Sequence, residues 1–226
     1  MTAPPLEFVN VALPARRPQA LSLTVPAHHT VAVLGDEASG VGALSGFALG
    51  LERPAAGSVK VFGTVIADLP ERERLAFRRR VGYLPAGDGL LQNLSLRDNV
   101  ALPLRFGSAA APPEIEGRVN VMLAQVRLAP AAARRPAQAS EEERRRAAFA
   151  RAMAFDPGLL LLDQPFDGVT VRTAAELLEV ARGGETAEGG RRTILVTGHE
   201  LPEAIRRRVE TVYRLSREGV LEPERA

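Results

Sequence analysis

The segment that most constrains the fold joins an apolar run to a glycine-containing turn and a helix-like stretch. Its sequence is VAVLGDEASGVGAL, residues 31–44. The first four residues predict a strand, Gly35 and Gly40 enclose four others, and an alanine- and leucine-rich helix is expected from Ala43. A strand, the spacing Gly-x-x-x-x-Gly and a helix together form the frame of a phosphate-binding loop. Taken alone, the segment is more simply a turn between a strand and a helix.

Two residue types that a phosphate-binding loop needs are absent. The positions after Gly40 should hold lysine and then serine or threonine, but they hold Val41 and Gly42. The lysine brings a positive charge to the terminal phosphates, and the hydroxyl is a ligand for Mg²⁺. Lys60 is the single lysine of the chain, and it lies outside the loop. A substitute cation would therefore have to be an arginine from elsewhere.

Composition places the chain among ordinary globular proteins with one two-lobed domain. It has 226 residues, a formal net charge of +2 and no cysteine, which excludes a disulfide framework and a thiolate metal site. No apolar run approaches the ~18 residues that cross a bilayer, and no signal peptide is recognised, so we expect a cytoplasmic location. The arginine clusters are interpreted as solvated or lobe-packing helix faces, and no nucleic-acid partner is expected.

The order of predicted elements indicates an α/β fold. An N-terminal, partly antiparallel sheet is followed by strands that alternate with helices, which is typical of a parallel sheet covered on both faces. A stretch without strands, residues 93–155, is predicted to hold helices broken at Pro103 and at Pro112 and Pro113. Strands are predicted at 6–11, 21–25, 30–34, 59–62, 81–84, 159–162, 193–197 and as a pair within 212–220, and helices at 69–80, 171–182 and after Pro202.

The run LLLLD, ending at Asp163, predicts a buried parallel strand that delivers a carboxylate at its C-terminal edge. In a phosphate-loop protein this carboxylate would hold Mg²⁺. The alternative is a structural carboxylate that accepts backbone N–H bonds at a loop or helix end. Because the loop lacks its other magnesium ligand, we favour the structural interpretation.

Five segments, taken in order, resemble the ATP-binding subunit of an ABC transporter. They are VAVLGDEASGVGAL, VGYLPAGDGLLQNLSLRDNVALPL, PAQASEEERRRAAFARAM, LLLLDQPFDGVT and ILVTGHELPEA. The resemblance implies a P-loop NTPase-like, ABC-type nucleotide-binding domain with a parallel core sheet, an N-terminal antiparallel β portion and a helical lobe. Residues 1–90 and 156–226 would form the core lobe, and residues 91–155 the helical lobe.

The resemblance also implies site residues, with ATP and Mg²⁺ as cofactors whose binding we expect to be weak or absent. Asp163 would be the metal ligand, and Gln164 and His199 would occupy the catalytic positions. His199 is either the γ-phosphate sensor or a residue in a capped turn, and the sequence leaves both open. The nucleotide-binding positions would be Ser140 and the phosphate-loop remnant Gly35, Asp36, Glu37, Ala38, Ser39, Gly40, Val41 and Gly42.

The chain departs from the family pattern where the chemistry occurs. Ala86 replaces a glutamine, Thr170 replaces an aspartate, and no aromatic residue for stacking on adenine stands near Ala15. Gln164 replaces the catalytic glutamate, and an amide cannot accept a proton from an attacking water. In the signature segment, Ser140 with Glu143 predicts a capping box at the start of a helix whose first turn is acidic. Such a helix start would repel a phosphate.

We therefore expect a degenerate subunit, a pseudo-ATPase, on the cytoplasmic face of the cell membrane. It would dock a membrane permease through the region 84–103 and would pair with a second nucleotide-binding subunit. One alternative is a weak or asymmetric ATPase that powers transport with a competent partner. Another is a soluble regulator derived from such a subunit.

Overall fold

The fold is described from a computed structural model, which covers residues 3–13, 20–183 and 191–224. Ala15, near which the family resemblance implies an aromatic residue, lies outside these residues. The strands are β1 Leu6–Ala12, β2 Ala20–Val25, β3 Thr30–Leu34, β4 Ser58–Val61, β5 Val81–Leu84, β6 Leu159–Asp163, β7 Thr193–Gly198, β8 Thr211–Leu215 and β9 Leu221–Pro223. The helices are α1 Ala43–Ala48, α2 Glu71–Arg78, α3 Leu96–Gly107, α4 Pro112–Gln125, α5 Glu141–Ala152, α6 Val171–Arg182 and α7 Glu203–Arg206.

The strands form two sheets. The smaller is antiparallel, in the order β2-β1-β4, which confirms the N-terminal antiparallel portion. The larger has the order β5-β6-β7-β3-β8-β9 and is parallel except for the β8–β9 pair. Strand β3 lies in this parallel sheet, between β7 and β8. The phosphate-loop remnant therefore begins at the C-terminal edge of the core sheet, where α/β proteins bind ligands.

Three helices, α3, α4 and α5, occupy the segment between β5 and β6, which contains no strand. The predicted break at Pro103 is wrong, because Pro103 lies inside α3. A proline costs a helix one hydrogen bond, but Ser95 caps this helix and Leu96, Val100 and Leu104 are buried along one face. Burial of that face outweighs the lost bond. Pro112 begins α4, where a proline is well tolerated.

The parallel sheet lies between two apolar cores, so its central strands are buried on both faces. Leu160 and Leu162 of β6 contribute to the core that contains α3, α5 and α6. Leu159 and Leu161 point to the opposite core, which contains the small sheet and α1. This alternation is the burial expected of a central parallel strand, as the LLLL run predicts.

The C-terminal boundaries differ slightly from the prediction. The last strand pair spans Thr211–Leu215 and Leu221–Pro223, so its second strand begins after Val220, beyond a turn at Gly219. Within residues 3–13, 20–183 and 191–224, no helix combines the length and the apolar character that crossing a bilayer requires.

Candidate functional site

The phosphate-loop remnant is anchored at Gly35, directly after β3. The Gly35 amide donates to the carbonyl of Gly198 at the end of β7, with N and O 2.9 Å apart. A Cβ at Gly35 would collide with Ser39 Oγ and would lie 2.9 Å from the Leu215 carbonyl oxygen. The first glycine of the motif is therefore required by backbone packing, whether or not a phosphate binds.

The loop then closes on itself. Residues 37–39 form a 3-10 turn, and the Ser39 amide donates to Asp36 Oδ1 over 3.0 Å. Gly40 adopts a left-handed conformation, with φ of 79°, and its amide donates to the Glu37 carbonyl. The Val41 amide reaches Ser39 Oγ over 3.3 Å. Three consecutive loop amides thus donate to acceptors of the loop itself.

The second carboxylate oxygen of Asp36, Oδ2, is directed away from the motif's interior. It pairs with Arg217 Nε over 2.6 Å, and this hydrogen bond from Arg217 holds the pKa of Asp36 below its usual value. Asp36 and Ala38 border a shallow depression on the surface beside Arg217. These two residues therefore lie on the outer side of the loop.

The two positions that follow Gly40, Val41 and Gly42, differ in burial. Val41, at the lysine position, is only 5% exposed and packs into the core that contains α1. Gly42 is exposed and is the N-cap of α1, with open space where a Cβ would lie. Neither residue offers a charge or a hydroxyl to a ligand.

Asp163 ends β6 and is 7% exposed. Its carboxylate accepts a hydrogen bond from Ser45 Oγ over 2.7 Å, another from Tyr83 Oη over 2.9 Å and a third from Thr197 Oγ1. The expected backbone N–H donors are thus replaced by side-chain hydroxyls from α1, β5 and β7. Burial and the adjacent carboxylate of Asp163 raise the pKa of Tyr83, so the phenol stays a proton donor.

A cavity of about 660 Å³ lies between the loop and the ends of β5, β6 and β7. Of the residues predicted for the site, it is lined by Glu37, Gly40, Val41, Gly42, Asp163, Gln164 and His199. Gly35, Asp36, Ala38, Ser39 and Ser140 do not line it. Within the described part of the chain, no lysine or arginine lines this cavity, whereas two carboxylates do.

Gln164 and His199 lie on the same side of the cavity. Gln164 has a positive φ of 46°, which is uncommon for a residue with a side chain. Its backbone N–H donates to the Thr197 carbonyl over 2.7 Å. His199 follows β7 and is exposed, and its carbonyl accepts from Arg214 over 3.2 Å. The structure brings the two catalytic-position residues together at the cavity, and their chemical role stays a prediction.

Comparison with known proteins decides the family. The family profile described as ABC transporter matches residues 18–167. The chain belongs to the ABC transporter family.

Relatives and solved structures agree with this assignment. The chain is 35% identical over 165 residues to the lipoprotein-releasing system ATP-binding protein LolD of Chromohalobacter salexigens, covering 73% of this chain and 69% of that relative. It is 31% identical over 196 residues to LolD of Pseudomonas syringae, covering 86% and 84%. The dimeric post-hydrolysis structure of the ATP-binding cassette MJ0796, bound to ADP and Pi, has a TM-score of 0.85 at 24% identity and covers 97% of this chain and 98% of that chain. That last likeness confirms the fold.

Family membership places the chain among the ATP-binding subunits of transport complexes. In this ABC protein the signature position starts α5, and the predicted capping box is confirmed. Ser140 Oγ accepts from the Glu143 amide, and the Glu143 carboxylate accepts from the Ser140 amide over 2.8 Å. The Glu141 carboxylate lies against Gly168, and Glu142 accepts from Thr173 Oγ1 over 2.8 Å. The acidic first turn is therefore bound to its own chain.

The segment around Ala86, at the family's glutamine position, is held by α5. Arg145 donates to the carbonyl of Ala86 over 3.2 Å and to the carbonyls on either side of it, and Arg151 donates to the Asp88 and Gly89 carbonyls. Arg145 and Arg146 are 6% and 9% exposed. The expected solvated surface is therefore wrong for these two residues, whereas lobe packing is confirmed.

The sequence motifs do not predict the three hydroxyls around Asp163. Ser45 could have indicated one of them, because it is a polar residue among apolar neighbours in the stretch ALSGFALG. Thr197 pairs with Asp163 in the register of β6 and β7, and parallel strands ending together bring such side chains close. Tyr83 had no signal of this kind, because its distance to Asp163 depends on the strand order.

Proposed function

We propose that this ABC protein is a pseudo-ATPase subunit that supports a transport complex without efficient ATP hydrolysis. The proposal rests on one observation: three hydroxyl groups donate hydrogen bonds to the Asp163 carboxylate. In the family this carboxylate position serves Mg²⁺, whereas here the folded chain itself supplies its partners. A metal would have to displace hydrogen bonds that are buried, which is costly.

The residues of the cavity do not fit Mg²⁺ with a polyphosphate. Val41 is buried in the apolar core, and the carboxylates of Glu37 and Asp163 face the cavity without a lysine or arginine among the described lining residues. Loss of one electrostatic contact of this kind typically costs about 3 kcal/mol of binding or of barrier. Gln164 cannot replace a carboxylate as a general base. In this proposal ATP and Mg²⁺ therefore bind weakly or not at all.

The surface supports docking of a membrane permease near the region 84–103. Leu91, inside this region, is 45% exposed, and Phe106, three residues beyond it, is 85% exposed. Exposed apolar side chains that form one patch mark an interaction site, and the proposal takes these two as part of such a patch. The proposed location is the cytoplasmic face of the membrane, with residues 1–90 and 156–226 as the core lobe and 91–155 as the helical lobe.

Affinity capture from solubilised membranes tests the partners. We expect a permease and a second nucleotide-binding subunit to co-purify with the full chain, and we expect Leu91→Asp to reduce recovery of the permease. Val121→Asp is the matched control, because Val121 is 57% exposed on α4, outside the region 84–103. A chain that is monomeric by light scattering and absent from membranes would instead support the soluble regulator.

A weak or asymmetric ATPase is the second candidate, and the cavity of about 660 Å³ favours it. Its volume falls in the range of ligand sites. ATP turnover by the purified complex separates the two candidates. If the chain is a pseudo-ATPase, the double change Gln164→Ala with His199→Ala leaves turnover unchanged. If turnover falls severalfold in a complex that still assembles, the chain takes part in hydrolysis and the pseudo-ATPase proposal is wrong.

A further inference from the structure

A second cavity, of about 640 Å³, lies away from the phosphate-loop remnant. It is formed where the C-terminal end of α4 meets α5, α6 and α7, and we refer to it as the arginine cleft. Four arginines line it, Arg127, Arg146, Arg172 and Arg208, with two glutamates, Glu176 and Glu179. Its volume suits a small organic molecule.

The charge of the arginine cleft is unbalanced around Glu176. This single carboxylate accepts from Arg127 over 2.9 Å, from Arg172 over 3.2 Å and from Arg146 over 3.4 Å. Although partial burial opposes ionisation, the hydrogen bond from Arg172 and the charge of Arg127 hold the pKa of Glu176 below its usual value. Arg146 is also paired with Glu142, with its Nη2 atom 2.9 Å from Glu142 Oε1. Arg127 and Arg172 therefore share Glu176, and their remaining charge leaves room for a second anion.

The unused donors lie at the mouth of the cleft. The side chains of Arg127 and Arg172 are 64% and 82% exposed, and each guanidinium has five N–H groups, of which Glu176 takes only part. Between them the lining is apolar, with Val126 at the base and Val171, which is 51% exposed, at the lip. An apolar surface beside free guanidinium groups is complementary to an apolar molecule with an anionic head.

We propose that the arginine cleft binds a small organic anion, an apolar body that carries one carboxylate, sulfonate or phosphate group. The head group pairs with Arg127 and Arg172, and the body covers Val171. The ligand contacts α6 and the turn that follows α4, so it bridges two segments that are distant in sequence. This site is independent of whether the phosphate-loop remnant binds nucleotide.

Fluorescence titration with anilinonaphthalene sulfonate tests the proposal on the full chain, because this probe combines an aromatic body with a sulfonate. We expect saturable binding that is weakened at least about tenfold by Val171→Glu, since the new carboxylate repels the head group. Glutamate is tolerated in the first turn of a helix, and circular dichroism verifies the fold. Val121→Glu is the matched control, because it introduces the same change at an exposed valine on α4 outside the cleft.

Two further experiments test where the probe binds and which head-group charge the site requires. Gly42→Glu introduces a carboxylate into the other cavity, where a Cβ meets open space, and we expect it to leave the titration unchanged. Hexanoate should displace the probe, whereas hexylamine, with the same chain and a positive head, should not. The proposal is overturned if binding is not saturable, if Gly42→Glu or Val121→Glu weakens it as much as Val171→Glu, or if the two competitors act equally.

Discussion

Two cavities of nearly equal volume, about 660 Å³ at the phosphate-loop remnant and about 640 Å³ at the arginine cleft, differ in the charge of their walls. The first is lined by Glu37 and Asp163, with no lysine or arginine among its described lining residues. The second is lined by four arginines and two glutamates. A family site for ATP needs positive charge at the loop. In this chain no lysine or arginine is among the described residues that line the loop cavity, whereas four arginines line the arginine cleft.

The two cavities also differ in how their charged groups are satisfied. The Asp163 carboxylate is enclosed by hydroxyls from three elements and is buried. Glu176 in the arginine cleft is shared among arginines, of which Arg127 and Arg172 remain largely exposed. A buried, fully partnered group stabilises the fold, and a partly partnered exposed group is available to a ligand. Cavity volume alone therefore does not identify a binding site in this protein.

The largest expected effect comes from breaking the enclosure of Asp163. Ser45→Ala removes a hydrogen bond of 2.7 Å to a buried carboxylate, and we expect the free energy of unfolding to fall by about 3 kcal/mol. Chemical denaturation measures this change.

Ser22→Ala is the control for Ser45→Ala, because the Ser22 hydroxyl bonds to Asn10 at an exposed site. It should cost less than about 1 kcal/mol. Equal, small losses for both variants would show that the hydroxyls are not needed around Asp163, and the contrast between the two cavities would lose its structural basis.

A smaller effect is expected from the loop glycines. Gly35→Ala places a Cβ 2.9 Å from the Leu215 carbonyl oxygen and against Ser39, and we expect it to destabilise the fold by about 2 kcal/mol. Gly42→Ala is the matched control within the same motif, because its Cβ meets open space at an ordinary helical φ of −65°. Thermal unfolding of the two variants compares them. If Gly42→Ala is the more damaging, the loop is not maintained by packing as described.

The smallest effect lies beside the arginine cleft and depends on pH. Burial opposes ionisation of Glu142, but hydrogen bonds from Arg146 and Thr173 lower its pKa below the usual 4.5. A carboxyl whose pKa is lowered by folding stabilises the fold above its unfolded pKa, and this contribution disappears as the pH falls through the folded value. Because the side chain is 34% exposed, Glu142→Gln should cost only about 0.5 kcal/mol at neutral pH.

Unfolding curves recorded across the acid range check the Glu142 prediction. The difference between the wild type and Glu142→Gln should be constant at neutral pH and should decline below pH 4.5. Glu203→Gln is the control, because Glu203 pairs with Arg207 at the same spacing but both side chains are more than half exposed. A difference that grows on acidification would contradict the sign of the pKa shift.

The sequence predicts much of the fold because its signals are local. The LLLL run, the alternation of strands and helices and the Ser140 capping box each depend on neighbouring residues, and each is found in the structure. Pro103 is the exception among the helices, because burial of residues distant in sequence holds α3 together. Local patterns do not report such tertiary packing.

The site was less predictable for the same reason. Val41 and Gly42 are read directly from the motif, but the hydroxyl enclosure of Asp163 joins residues from three separate elements. The arginine cleft likewise combines Arg127 with Arg172, which meet at Glu176 only after folding. The sequence therefore predicts which groups are missing from the nucleotide site, and only the structure shows what has taken their place.

Calorimetric titration of the full chain with Mg²⁺-ATP, with and without its co-purifying subunit, tests the pseudo-ATPase proposal. Because the loop cavity presents carboxylates and no lysine or arginine among its described lining residues, we predict no saturable heat at micromolar nucleotide. LolD of Chromohalobacter salexigens, titrated alongside, serves as the comparison protein. Micromolar binding of Mg²⁺-ATP to this chain alone would contradict the proposal that it is a pseudo-ATPase.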